Sequence, residues 1–275
     1  MTLKKSIPLF LVVAFMGALA TTAHAHRAWI QPGATVHSAE DAWVTFDAAI
    51  SNDIFYTDYH AMRGNFQVIA PGGETVDVQN LHTGRFRTTF DLNLTATGTY
   101  RIANASNGLR ARWEENGERR GYPGRGQAYT PEGYAQAVPE NAANLEVTQF
   151  SRRIETFVTA GAPTKETLKP SGEGIELLAI THPNDLFAGE AAQFQILIDG
   201  EPAVGASVTV IPDAMRYRNA QDAIELTTDA QGKVTIDWPR AGMYYFNASY
   251  RDEQAKAPAT VRTGDYTAVF EVLPL

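Results

Sequence analysis

The chain is written in short apolar runs, rich in β-branched and aromatic residues and broken by polar turn formers, the pattern of short strands. "AWVTFDAAI" (42–50), "NFQVIA" (65–70), "ETVDV" (74–78), "RFRTTFDLNL" (85–94) and "GTYRIANA" (98–105) form one series, punctuated by turns such as Pro71-Gly72-Gly73. A second series follows: "IELLAI" (175–180), "AQFQILID" (192–199), "ASVTVIP" (206–212), "KVTIDW" (233–238), "MYYFNASY" (243–250) and "YTAVFEVL" (266–273). No window carries a long apolar helix period. This pattern predicts an all-β protein: two consecutive immunoglobulin-like antiparallel β-sandwich domains after a cleaved signal peptide.

The two series resemble each other. "TGTYRIANAS" (97–106) matches "AGMYYFNAS" (241–249) in its Gly-x-Tyr opening and its Asn/Ala/Ser ending, and "SAEDAWVTFDAAI" matches "FAGEAAQFQILID" at a similar distance upstream. Duplication, or two related modules, accounts for both. The boundary falls in "TAGAPTKETLKPSGEG" (159–174), rich in Thr, Pro, Gly and Lys. The expected organisation is a signal peptide over 1–25, a first sandwich over 26–160, a linker over 161–174 and a second sandwich over 175–275. Residues 107–143 read as a long irregular loop, and 144–158 as a strand pair or one long strand. Arg110, Arg112, Arg119, Arg120 and Arg125 give that loop a candidate anion-binding patch, which Glu114, Glu115 and Glu118 can balance as an ordinary solvated surface.

The beginning of the chain changes the compartment. Lys4 and Lys5 precede an apolar run from Ile7 to Ala20, and Ala23-His24-Ala25 supplies an A-x-A cleavage pattern. The run is short for a membrane span, which takes about 20 residues. The expectation is export to the periplasm, with no membrane span left after cleavage. Removing Lys4 and Lys5 takes the formal charge from −8 to −10. That acidity argues against nucleic acid as a partner. With no cysteine, thiol nucleophiles and thiolate metal sites are excluded, and any metal must be held by nitrogen and oxygen ligands.

No strong catalytic motif is present: no G-x-S-x-G, no H-E-x-x-H and no phosphate-cradling glycine loop. The reading is therefore of a protein that is not an enzyme, and the remaining chemistry is histidine. Cleavage after Ala25 makes His26 the amino terminus. Its α-amine, with a pKa of about 8, and its imidazole Nδ1 can chelate one divalent metal. One further imidazole would suit nickel, cobalt or copper. Cleavage after Ala23 would instead place His26 third from a free amine, an arrangement that also binds copper(II) or nickel(II).

His60, in "NDIFYTDYHAMR" (52–63), is the second candidate ligand, with Asp58 on the same face of extended backbone as co-ligand or as the group that fixes its tautomer. His82, in "NLHTGRF", is a weaker third. His182 opens "THPNDLFAGE" and reads as a turn cap. His37 reads as solvated. Trp29, Trp43 and Trp238 read as core or strand-edge aromatics, with Trp29 near enough to His26 to wall a site. Asp213, Arg216, Tyr217 and Arg218 in "IPDAMRYR" read as a salt-bridged loop.

"AHAHRAWIQP" resembles the His-x-x-Trp opening of the DUF4198 family. The segments "HPNDLFAGEAAQFQILIDGEPAVGASVTV" (182–210), "TTDAQGKVTIDWPRAGMYYFNASY" (227–250) and "AVFEVLPL" (268–275) are similar to that family's second half. The resemblance implies an exported all-β protein, since some members are described as periplasmic components of nickel or cobalt uptake systems. It places His26 and Trp29 in the opening motif. The expected partners are a metal ion and, behind it, a membrane transporter or outer-membrane receptor. The alternative is a non-catalytic periplasmic module that binds a carbohydrate or peptide.

Overall fold

The structure, a computed structural model, describes residues 26–38, 41–124 and 127–275. The expected signal peptide and its cleavage pattern lie outside the described residues. The first half contains β1 (Arg27–Pro32), β2 (Val36–His37), β3 (Ala42–Ser51), β4 (His60–Ala61), β5 (Gln67–Ile69), β6 (Thr75–Val76), β7 (Gln79–Thr83), β8 (Thr88–Leu94), β9 (Gly98–Glu115), β10 (Glu118–Tyr122), α1 (Pro131–Ala137) and β11 (Ala143–Ala160). The second half contains β12 (Ile175–Ala179), β13 (Ala191–Ile198), β14 (Glu201–Pro202), β15 (Ser207–Pro212), β16 (Ile224–Thr227), β17 (Lys233–Asp237), β18 (Gly242–Asp252) and β19 (Val261–Val272).

Two immunoglobulin-like β-sandwiches result, and they share a sheet. In the first, β1-β3-β8-β7 packs over β11-β9-β5-β6; in the second, β12-β13-β17 packs over β16-β15-β18-β19. The seam is a parallel pairing of β11 with β19, from Thr148↔Val261 to Thr156↔Val269. Alternation along β11 then sends adjacent residues into different cores. Ile154 and Val158 join Phe46, Phe90 and Tyr100 in the first core, whereas Phe157 joins Phe194, Phe246 and Phe270 in the second. The two cores therefore lie on opposite faces of one continuous sheet.

The internal similarity has a physical basis. Tyr100 and Tyr244 are both buried, and each hydroxyl donates to a backbone carbonyl four residues upstream: Ala96 O at 3.2 Å and Arg240 O at 2.7 Å. This is the tyrosine corner of immunoglobulin-like sandwiches. The paired glycines are explained too. Gly98 (φ +129°) and Gly242 (φ +141°) adopt backbone that L side chains avoid, and a Cβ on Gly98 would lie 2.7 Å from the Pro71 Cβ.

The region 107–143 differs from expectation. Instead of an irregular loop, β9 continues to Glu115, turns through Asn116 (φ +53°) and Gly117 (φ +77°), and returns as β10. Two consecutive positive-φ residues make the turn that matches strand twist, and Asn-Gly is its preferred sequence. The short helix α1 follows, capped by the Thr130 side chain. Ala111, Trp113, Val138, Val147 and Ala259 bury a small satellite core under this extension. Residues 143–160 form one long strand.

The stretch 161–174 is tied down by specific bonds. Thr99 N–H donates to Thr164 Oγ1 (3.0 Å), Thr167 Oγ1 donates to Thr99 O (2.9 Å), and Leu168 is buried. Beyond it, Thr159 Oγ1 donates to Asn184 Oδ1 (2.8 Å) while Asn184 Nδ2 donates to Phe157 O (2.9 Å), docking the start of the second sandwich onto β11.

Candidate functional site

Register determines which histidines can meet. β1 places Ala28 opposite Ile50, and β4 places His60 opposite the same Ile50 from the other side. Ala28, Ile50 and His60 thus stand in one transverse row, and His26, two residues before Ala28, continues on the same face. The contact follows: His26 stacks on the Tyr59 ring with centroids 3.8 Å apart and planes at 10°, and Tyr59 meets His60 at 4.1 Å. Two imidazoles 34 residues apart in sequence contact one phenol ring, and all three side chains are exposed.

The other two candidates stand apart. Asp58 engages both carboxylate oxygens with Asn52, accepting from its backbone N–H (3.0 Å) and its Nδ2 (3.1 Å). It braces the 52–59 loop. His82 pairs with Thr89, which pairs with Asp47. Asp47 has the opposite parity to Ile50 along β3, so His82 projects from the other face of the sheet. Among the described residues, no group of three or more His, Asp or Glu side chains converges as a metal site. His26 and His60 thus share Tyr59 as a neighbour.

Trp29 does not wall this pair. Three residues along an extended strand from His26, it points to the opposite face. There it packs edge-on to Phe55 (5.6 Å), and its Nε1 donates to Ser51 Oγ (2.9 Å). With Ala49 and Ile54 it meets Ile211, Tyr245 and Val269 of the second sandwich in an apolar joint. Trp238 is buried in the second core, whereas Trp43 is 55% exposed.

The second sandwich also reaches the candidate site. Arg27 Nη2 donates to Gln221 Oε1 (2.9 Å), and the Arg216 guanidinium lies 4.0 Å from the centroid of Tyr56. The rest of that loop is salt-bridged: Arg218 pairs with Asp222 at 2.8 Å and donates to the carbonyls of Pro212 and Gln221. Sequence reasoning missed the approach of Arg216 to Tyr56. No local signal carries it, because the two residues meet only through the seam between the sandwiches.

His182 caps its turn. Asn184 N–H donates to Nδ1 (3.1 Å), which leaves Nε2–H to donate to Thr164 O (3.0 Å). Burial holds its pKa below the ordinary histidine value. His37 is half-buried, with Nε2 3.2 Å from Ala34 O.

Of the candidate anion patch, Arg110, Arg112 and Arg119 share one face of the β9–β10 hairpin by register. Arg120 stands opposite Trp113 and pairs with Glu115 and Glu118. Arg125 lies outside the described residues.

No helix of the described residues is long and apolar enough to cross a membrane. No curated protein matches the chain. Among solved structures, the D0–D1 domain of intimin is similar at 11% identity, covering 89% of this chain and 97% of its own, with a TM-score of 0.23. A putative membrane anchored protein from Corynebacterium diphtheriae is similar at 11% identity, covering 91% of this chain and 54% of its own, also with a TM-score of 0.23. A marsupial T cell receptor follows at 10% identity, 91% and 74% coverage, and a TM-score of 0.19. A family model described as a domain of unknown function, DUF4198, matches residues 23–252, so the chain belongs to the DUF4198 family.

Proposed function

We propose that the protein is an exported, periplasmic transition-metal-binding protein that acts in metal uptake or delivery and takes nickel, cobalt or copper at His26 and His60. The observation that carries this reading is the convergence of both imidazoles on Tyr59. Exposed imidazoles next to a free α-amine form an all-nitrogen donor set, which favours the later divalent metals. An exposed site also suits a cargo that must be handed on, to a membrane transporter or an outer-membrane receptor. The role is binding, not catalysis.

The test is the intact mass of the exported protein, purified without a tag or added metal, under native and denaturing conditions. The expected result is a His26 terminus with one bound metal that a His60→Ala variant loses. Failure to take up nickel, cobalt, copper or zinc, or undiminished uptake by the variant, overturns the reading.

A second reading, a non-catalytic module that binds a carbohydrate or peptide, is favoured by a separate observation: an open polar groove on the shared sheet.

A further inference from the structure

The face of the shared sheet that carries the first core is covered only in part. The row Thr156–Val269–Tyr245–Ile211 is covered by β1 and the 52–59 loop through Trp29 and Ile54. Four residues farther along β11 a parallel row, Ser106–Arg152–Asp265–Ser249–Ser207, crosses β9, β11, β19, β18 and β15. Over it lies an open groove of about 730 Å³ that has Arg110, Arg152 and Arg251 in its lining. A smaller extension of about 170 Å³ shares Arg110 and Arg251 and adds Arg112. Four inter-strand spacings of about 4.8 Å make the row about 19 Å long.

The lining has a definite chemistry. Three guanidiniums stand in one groove of a chain whose net charge is −8. Arg110 is held over the Phe150 ring at 5.1 Å, and Arg251 pairs with Glu146 at 3.0 Å. The Arg152 side chain makes no hydrogen bond or ion pair among the described residues, and its charge acts on Asp265. Among the described residues the Asp265 carboxylate accepts only a long bond, from Asn247 Nδ2 (3.5 Å). The hydroxyls of Ser106, Ser207 and Ser249 in the row, and of Thr263 in the row beside it, are groups that both donate and accept.

We propose that this groove binds an acidic saccharide, a run of sugars bearing carboxylates. A carboxylate meets the Arg152 guanidinium in a charge-assisted pair, and the ring hydroxyls reach Asp265 and the serine row. A peptide fits the site less well. The groove lies on a sheet face whose backbone groups are spent in the ladder, so no free edge is left for strand addition. The site is separate from the histidine pair, which sits toward the Pro212 end of the second sandwich while Ser207 ends this row.

The experiment is calorimetric titration of the mature protein with trigalacturonate, trimannuronate, the methyl ester of trigalacturonate, and inorganic phosphate. The expected result is binding of at least one acid trimer, about tenfold or more tighter than its ester. Arg152→Gln should weaken that binding by a similar factor. Ser249→Trp, which fills the groove from an exposed strand position, should abolish it, and His60→Ala should leave it unchanged. Unaltered circular dichroism in the variants separates loss of binding from loss of fold. No heat with either acid trimer at millimolar concentration, equal affinity for the ester, displacement by phosphate alone, or full affinity in Arg152→Gln overturns the proposal.

Discussion

The two sandwiches close with the same device and end differently. Each has a buried tyrosine corner behind a positive-φ glycine, and each stacks two phenylalanines at its centre: Phe46 on Phe90 at 4.9 Å in the first, Phe194 on Phe270 at 5.0 Å in the second. In the second sandwich the corner strand β18 and its neighbour β19 run 11 and 12 residues. In the first, β9 and β11 run 18 residues each and overshoot the core they cover. The overshoot carries the β9–β10 hairpin and leaves the groove face open. The shared closure makes the fold, and the unequal strand lengths make the surfaces available for binding.

Core truncation is the most forceful way to break this comparison. Phe90→Ala and Phe270→Ala should each cost about 3–5 kcal/mol, because each leaves a cavity in a close-packed centre. The β11–β19 seam makes the sandwiches one cooperative unit, so either variant should shift a single denaturant transition. Two transitions, with only one displaced, would show that the sandwiches unfold independently.

The corners give a smaller and more discriminating contrast. The Tyr100 hydroxyl both accepts from Ala96 N–H (2.8 Å) and donates to Ala96 O, whereas the Tyr244 hydroxyl makes one bond to the carbonyl of exposed Arg240. Tyr100→Phe should therefore cost about 1–3 kcal/mol and Tyr244→Phe about 1 kcal/mol, the freed Arg240 carbonyl being open to water. Equal losses in urea unfolding would remove the distinction.

The smallest effect is a pH dependence at the joint. His182 has a lowered folded pKa because of burial, and its unprotonated Nδ1 accepts from Asn184 N–H. Its contribution is full above the unfolded value of about 6.5 and is lost as pH falls through the folded value, since the unfolded chain binds the proton first. Urea midpoints between pH 7.5 and pH 5 should fall less steeply in His182→Gln than in the unaltered protein. Parallel slopes would mean that the cap does not titrate.

Much of the fold was legible because strand signals are local. The run 42–50 became β3, and the Gly-x-Tyr repeat marked both corners before their hydrogen bonds were visible. The hairpin at Asn116-Gly117 was missed, although Ala111 and Trp113 alternate with Arg110 and Arg112 before it. The density of Arg, Glu and Gly in 107–125 obscured that alternation. For the histidines, sequence identified which residues carry donor atoms but not which share a face. His26 with His60, and His82 away from both, follows from pairing register along β3.

By itself the sequence determined an all-β chain, two repeats of one closing motif, an acidic cysteine-free composition and a short list of nitrogen donors. Each of these depends on side-chain type and local spacing. Tertiary structure alone decided the parallel seam, the placement of two cores on opposite faces of one sheet, the contact of two imidazoles with Tyr59, and the alignment of Ser106, Arg152, Asp265, Ser249 and Ser207 across five strands. Those residues are tens of positions apart, and only strand register, set where the apolar faces bury, brings them into line.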